Sequence, residues 1–294
     1  MTSKGRGKKF WLTRNRVAAL KTVAGRYPIA PGLIILAVIF VAIFAPFLTP
    51  HSPIEQNLSN RLASPSATHL LGTDHMGRDI LVRLMFGARV SLAIASLTLA
   101  LAGTIGLIVG LCSGYAGRWI DAVLMRITDA TIAFPIIFIA LLFAVIFGPS
   151  FRNVILAIGL VVWARYARMV RGEVLGIKKR DFVALAKIAG CSPFRIMVKD
   201  ILPNVLNTFV VLLTLQVGWV ILMEATLSFL GAGIPPPTPT WGSMISDGRG
   251  YISTAYWVSV FPGIVILLTV LSFNLLGDWL RETLDPKLRQ AISV

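Results

Sequence analysis

Six runs of apolar residues, at 29–48, 90–112, 130–147, 154–164, 205–223 and 257–276, dominate this sequence, and the segments between them hold the charges and most of the proline and glycine. An α-helix needs about 20 apolar residues to cross a bilayer, and in lipid only helices and closed barrels satisfy every backbone polar group. The pattern predicts an all-α integral membrane protein with six transmembrane helices. Composition agrees: 56% of the 294 residues are apolar and 14% charged, with a mean hydropathy of +0.78. Soluble domains are about 45–50% apolar and about 25% charged.

The fourth run is short for a span, and the charges decide whether it crosses. The first 28 residues carry eight Lys or Arg and no acid, and the run that follows is too long for a signal peptide. With six spans and an internal N-terminus, 22 basic residues fall in cytoplasmic segments and six in outer ones (Arg61, Arg78, Arg83, Arg89, Arg152 and Arg249). Removing the fourth span would put the nine basic residues of 165–199 outside, against the positive-inside bias. Both termini are therefore expected in the cytoplasm. The layout is a basic tail at 1–28 and a six-helix transmembrane domain at 29–294. Its outer loops lie at 49–89 and about 231–256, and a long cytoplasmic loop at about 165–203. The fourth helix is expected to continue past Arg165 and Arg168 into water. The net charge of +15 is thereby explained by topology and membrane lipid rather than by nucleic acid.

Ala102, Gly106, Gly110 and Gly114 recur every four residues and form a small-residue stripe, a helix-contact face or alternatively a hinge. Pro135 is expected to kink the third span. Cys112 and Cys191 read as packing residues, and His51, His69 and His75, all in one loop, as solvated side chains rather than ligands. Gly5-Arg6-Gly7-Lys8 lacks the spacing of a phosphate-binding loop. No hydrolase motif is present in the sequence.

The loop at 165–203 alternates apolar residues (Val183, Leu185, Ala186, Ile188, Ala189) with charges, and breaks are expected at Gly190 and Pro203. It reads as a short surface helix, a turn and a second helix. An apolar face without a membrane-length run calls for a protein partner. Here the sequence resembles the inner-membrane permeases of binding-protein-dependent ABC importers, whose signature loop runs Glu-Ala-Ala, then Gly, then Ile-x-Leu-Pro. The matching positions are Ala184, Leu185, Ala186, Gly190, Asp200, Leu202 and Pro203, of which Ala186, Gly190, Leu202 and Pro203 keep the family residue.

Three further blocks resemble the peptide and nickel subfamily, and specifically its second, C-type permease subunit. They are His69-Leu70-Leu71-Gly72-Thr73-Asp74 with Gly77-Arg78-Asp79, Arg83 and Gly87-Ala88-Arg89; Glu224-Ala225-Thr226-Leu227-Ser228-Phe229-Leu230-Gly231 with Pro235-Pro236-Pro237, Pro239, Trp241-Gly242 and Met244; and Asn274, Gly277-Asp278 and Leu284-Asp285-Pro286-Lys287-Leu288. The resemblance implies a type I ABC importer permease in a bacterial inner membrane. It implies a homologous second permease, two ATPase subunits and an extracytoplasmic substrate-binding protein as partners. The ATPases would receive the element at Ala184, Leu185, Ala186, Gly190, Cys191, Ser192, Leu202 and Pro203. They alone would hold ATP and Mg, leaving this chain without a cofactor or catalytic residue. Peptide, nickel, opine, glutathione and sugar systems share these blocks.

Two groups of polar residues keep two readings each. Asp74, Arg78 and Asp79, near Trp241, form either a loop held by Arg–Asp pairs or a contact for the docking protein; Trp241 also suits a membrane interface beside a stiff proline segment. Glu224, with Ser228 one turn on and Gln216 two turns back, is either a structural carboxylate at a helix end or part of the pathway. The alternative class, a stand-alone secondary transporter, would need its own ion-coupling site and usually shows internal repeats.

Overall fold

The computed structural model describes residues 28–284. The basic stretch 1–27 and the block from Asp285 onward lie outside them. Helix α1 (Ile29–Leu48) coincides with the first apolar run. Helix α2 (Ile80–Ala116) is 37 residues long and starts well before its run. The cause is Asp79, whose Oδ1 accepts the Val82 N–H at 3.1 Å and so caps the first turn. Arg83 and Arg89 are thus helical, and the first long loop is 49–79 rather than 49–89.

The third run departs from expectation. It is divided between α3 (Arg118–Ala133) and α4 (Ile136–Phe147), bent by 86° at Phe134–Pro135, so the 130–147 run is not one kinked helix. Proline removes a donor and pushes the residue before it out of the helical region. Among the described residues five helices are individually long and apolar enough to cross a membrane, and the α3–α4 pair supplies a sixth only if taken together.

Helix α5 (Phe151–Ile177) has 27 residues and carries the short fourth run well past Arg165 and Arg168, as expected. It packs on α2 more extensively than any other pair of elements. The small-residue stripe is the reason: a Cβ on Gly106 would lie 2.3 Å from Tyr166 Cβ, and one on Gly110 2.6 Å from Val170 Cβ. The stripe is a contact face, and it makes α5 the most buried of the five long spans.

After α5 come α6 (Asp181–Ile188), a turn, one helical turn (Pro193–Arg195), a π turn (Ile196–Ile201) and α7 (Leu202–Phe229). No break occurs at Pro203. Leu202 N–H reaches Met197 O, five residues back, so the π turn absorbs the proline and the helix runs on. Helix α8 (Trp241–Gly248) occupies the second long loop, and α9 (Trp257–Leu284) closes the bundle against α7, where Gly218 meets Val270 and Gly277 meets Leu215. The loops 49–79 and 230–256 meet at one end of the bundle, the cap end; α6 stands at the other.

Candidate functional site

At the end opposite the cap, α6 is held by Val183, which is fully buried and belongs to the same core as Ile196 and Ile201. Its other face has nothing over it: Leu185 is 65% exposed, Ile188 84% and nearby Phe194 71%. Ala184, Gly190, Ser192 and Pro203 are exposed too, with Ala186, Cys191 and Leu202 half-buried. The turn after α6 needs Gly190, whose φ is +74° with open space beside it. Ser192 Oγ accepts the Arg195 N–H at 3.4 Å and starts the next turn. Short helix, glycine turn and second helix are all present. Just above this element Asp121 binds both Nε and Nη2 of Arg171 at 2.6 Å, fastening α3 to α5, and Lys178 Nζ donates to Tyr115 O at the end of α2.

The cap is organised around Asp74, which is fully buried. Its Oδ1 accepts the N–H groups of Met76 (2.8 Å) and Arg78 (3.0 Å). Its Oδ2 accepts Arg78 Nε at 2.7 Å and also Arg83 Nη1. Both guanidinium groups, each 3% exposed, reach on to Asp247 Oδ2 of α8, at 3.4 Å from Arg78 and 3.2 Å from Arg83. Burial alone would raise the Asp74 carboxyl, but the Arg83 and Arg78 charges and the two backbone donors outweigh it and hold it below its ordinary value. Glycines let the loop close: a Cβ on Gly77 (φ +73°) would sit 1.7 Å from Asn57 O, and one on Gly72 (φ +77°) 2.7 Å from Ala63 O.

Of the two readings for this loop, the Arg–Asp pairs are present. Asp74, Arg78 and Trp241 are buried and offer no surface to a docking protein, while Asp79 caps α2 and bonds His69 Nδ1 at 2.8 Å. Trp241 is buried in the cap. Its ring lies against Gly87 and its Nε1 donates to Leu84 O at 3.2 Å. The proline run turns at Pro236 and Pro237 rather than extending stiffly. His69 and His75 are likewise engaged, His75 stacking on Tyr251 at 5.8 Å.

Glu224 is buried, and Ser228 Oγ donates to its Oε1 at 2.8 Å. Oε2 has no hydrogen-bond partner among the described residues. Among the described residues neither an arginine nor Gln216 bonds it. Sequence reasoning missed Asp247 and Trp257, whose Nε1 donates to Thr73 O at 3.2 Å. The only local signal was an acid in a loop otherwise poor in charge.

These features define a multi-pass helical membrane protein with a strapped cap at one end and an apolar helix standing free at the other. Residues 102–290 match the family described as binding-protein-dependent transport system inner membrane component, and residues 31–65 match the N-terminal TM domain of oligopeptide transport permease C. The chain belongs to this family of inner-membrane permeases. It is 46% identical over 259 residues to a dipeptide transport system permease protein, DppC, of Alkalihalophilus pseudofirmus, covering 88% of this chain and 85% of that one. It is 45% identical over 266 residues to the dipeptide permease DppC of Escherichia coli, covering 88% and 89%. The MetNI methionine ABC transporter, in an inward-facing form, shares the fold with a TM-score of 0.58 at 20% identity over 70% of this chain and 96% of that chain. The architecture is that of type I ABC importer permeases. The chain is a non-catalytic permease subunit and not a stand-alone secondary transporter.

Proposed function

We propose that this chain forms half of the path by which a peptide or related small solute crosses the inner membrane, and that a homologous second permease forms the other half. In this reading the cap end faces outward, toward a substrate-binding protein, and both termini lie in the cytoplasm with α6. Two ATPase subunits, which hold the ATP and Mg, receive the element from Ala184 to Pro203 in their clefts. Their closure pushes on α6 and tips the path outward; hydrolysis resets it.

The observation that carries this reading is the uncovered apolar face of α6, at Leu185 and Ile188, on an element that bridges α5 and α7. The π turn keeps the second helix continuous from Pro193 to Phe229, and α6 packs against that turn, so a push on α6 passes through this contact into α7. Relatives named as dipeptide permeases support the choice of solute. The test is uptake of a labelled dipeptide by the reconstituted complex. Accumulation that requires ATP, the ATPases and the binding protein together is expected. Accumulation without the ATPases would refute the reading.

A further inference from the structure

Arg165 is residue 15 of the 27 in α5, so its Cα lies about 21 Å along the helix from Phe151, just past the apolar run 154–164. Its guanidinium carbon sits 5.0 Å from the centre of the Trp219 ring, itself mid-way along the antiparallel α7. The next two arginines of α5 each have a carboxylate, Arg168 with Asp129 and Arg171 with Asp121, both at 2.6 Å. Among the described residues Arg165 forms no ion pair.

The side chain is nevertheless exposed on this chain. A guanidinium at the end of an apolar run is costly to leave against lipid and faces protein or water. The neighbouring surface favours water. Arg165, Arg168, Gly172 and Gly176 fall within an arc of about 80° on α5, at 100° per residue. All four are exposed, and the space beside both glycines is open. An open strip therefore runs from Arg165 to the end of the bundle that carries α6. On α7, Gln216 lies one turn from Trp219 on the same side.

We propose that Arg165, held over the Trp219 ring, is a station on the translocation path that binds the carboxylate of the solute in transit. The ring holds the cation from one side and no carboxylate among the described residues takes its N–H groups, which can grip a carboxylate through two parallel hydrogen bonds. The same chemistry could be met by a carboxylate of the second permease. This inference rests on the reading of the chain as half of a peptide path.

The test uses the whole complex in vesicles, with the binding protein saturated by either of two probes: dialanine, or dialanine with its C-terminus amidated. The readout is the acid-to-amide uptake ratio for the parent, Arg165→Gln and Arg165→Lys. A lost charge-assisted contact lowers that ratio about tenfold in Arg165→Gln, while complex yield, heat stability and basal ATP hydrolysis match the parent. Arg165→Lys recovers part of it. An unchanged ratio overturns the proposal. So does a fall in complex yield or heat stability, which assigns the contact to a carboxylate of the second permease. A parent complex that takes up no dialanine refutes the peptide reading itself, and this inference with it.

Discussion

Asp74→Asn removes one oxygen and one charge from the centre of the cap. The amide keeps an acceptor for the Met76 and Arg78 N–H groups but turns a donor toward Arg78 Nε and Arg83 Nη1. Two almost fully buried guanidinium groups are then left with Asp247 alone, at 3.4 and 3.2 Å. Removing one partner from a buried ion pair costs about 3–5 kcal/mol. Two lost hydrogen bonds to a charged group, at about 1.5–3 kcal/mol each, give a similar figure. The assay is amide hydrogen exchange in the cap, read at Asn57, Leu62 and Thr73, whose N–H groups bond Met76 O, Asp74 O and Ala63 O. A loss of about 3 kcal/mol speeds their exchange roughly a hundredfold. Asp247→Asn is the control: Asp247 is 26% exposed and its contacts are longer, so exchange rises by a few-fold at most. Equal effects from the two variants, or none from Asp74→Asn, would refute the assignment of Asp74 as the hub. The pH dependence has a definite sign. The folded-state pKa of Asp74 is depressed, so its contribution is complete above the unfolded carboxylate value and is lost as pH falls below about 4 toward the folded value.

Three further outcomes are expected. Gly110→Ile should separate α2 from α5, because even a Cβ there would lie 2.6 Å from Val170 Cβ and 2.7 Å from Ala167 O. The expected loss is about 1–3 kcal/mol, seen as a lower yield and melting temperature of the complex; parent-like values would contradict the packing. A reporter fused after Arg180 should read cytoplasmic and one after Pro237 outside, and an external label reaching a cysteine at Lys179 in intact cells would sink the orientation. Glu224→Gln keeps an acceptor for Ser228 and should leave heat stability and uptake near the parent. Lost uptake at full stability would place Glu224 on the path, against its burial.

Hydropathy found α1 to the residue and the apolar centres of α7 and α9, helices little buried within the chain, but stopped short of the ends of α7 at Phe229 and α9 at Leu284. It underestimated α5, which scores as 11 apolar residues yet is 27 long. The cause is packing: one side of α5 lies on the α2 glycines, so Arg165, Arg168 and Arg171 share the other side. Residue counts do not see faces. The cap glycines and Asp79 were legible as turn and capping residues, but the role of Asp247 was not, since it meets Arg78 from 169 residues away. Local rules also failed at Pro203, where a π turn satisfies the backbone, and at Trp241, where Gly87 leaves room for the ring. The element around α6 was legible because its shape depends on local signals, an amphipathic run, a left-handed glycine and a serine cap.

The central claim is that α6 meets an ATPase subunit, and a cross-link tests it most directly. In a chain carrying Cys112→Ser and Cys191→Ser, Leu185→Cys in the assembled, transporting complex is treated with a short bifunctional thiol reagent. An adduct with the ATPase subunit, its yield changing when ATP is added, is the predicted result. A complex that transports normally yet gives no such adduct, with Leu185→Cys freely labelled by a soluble maleimide, would contradict the claim.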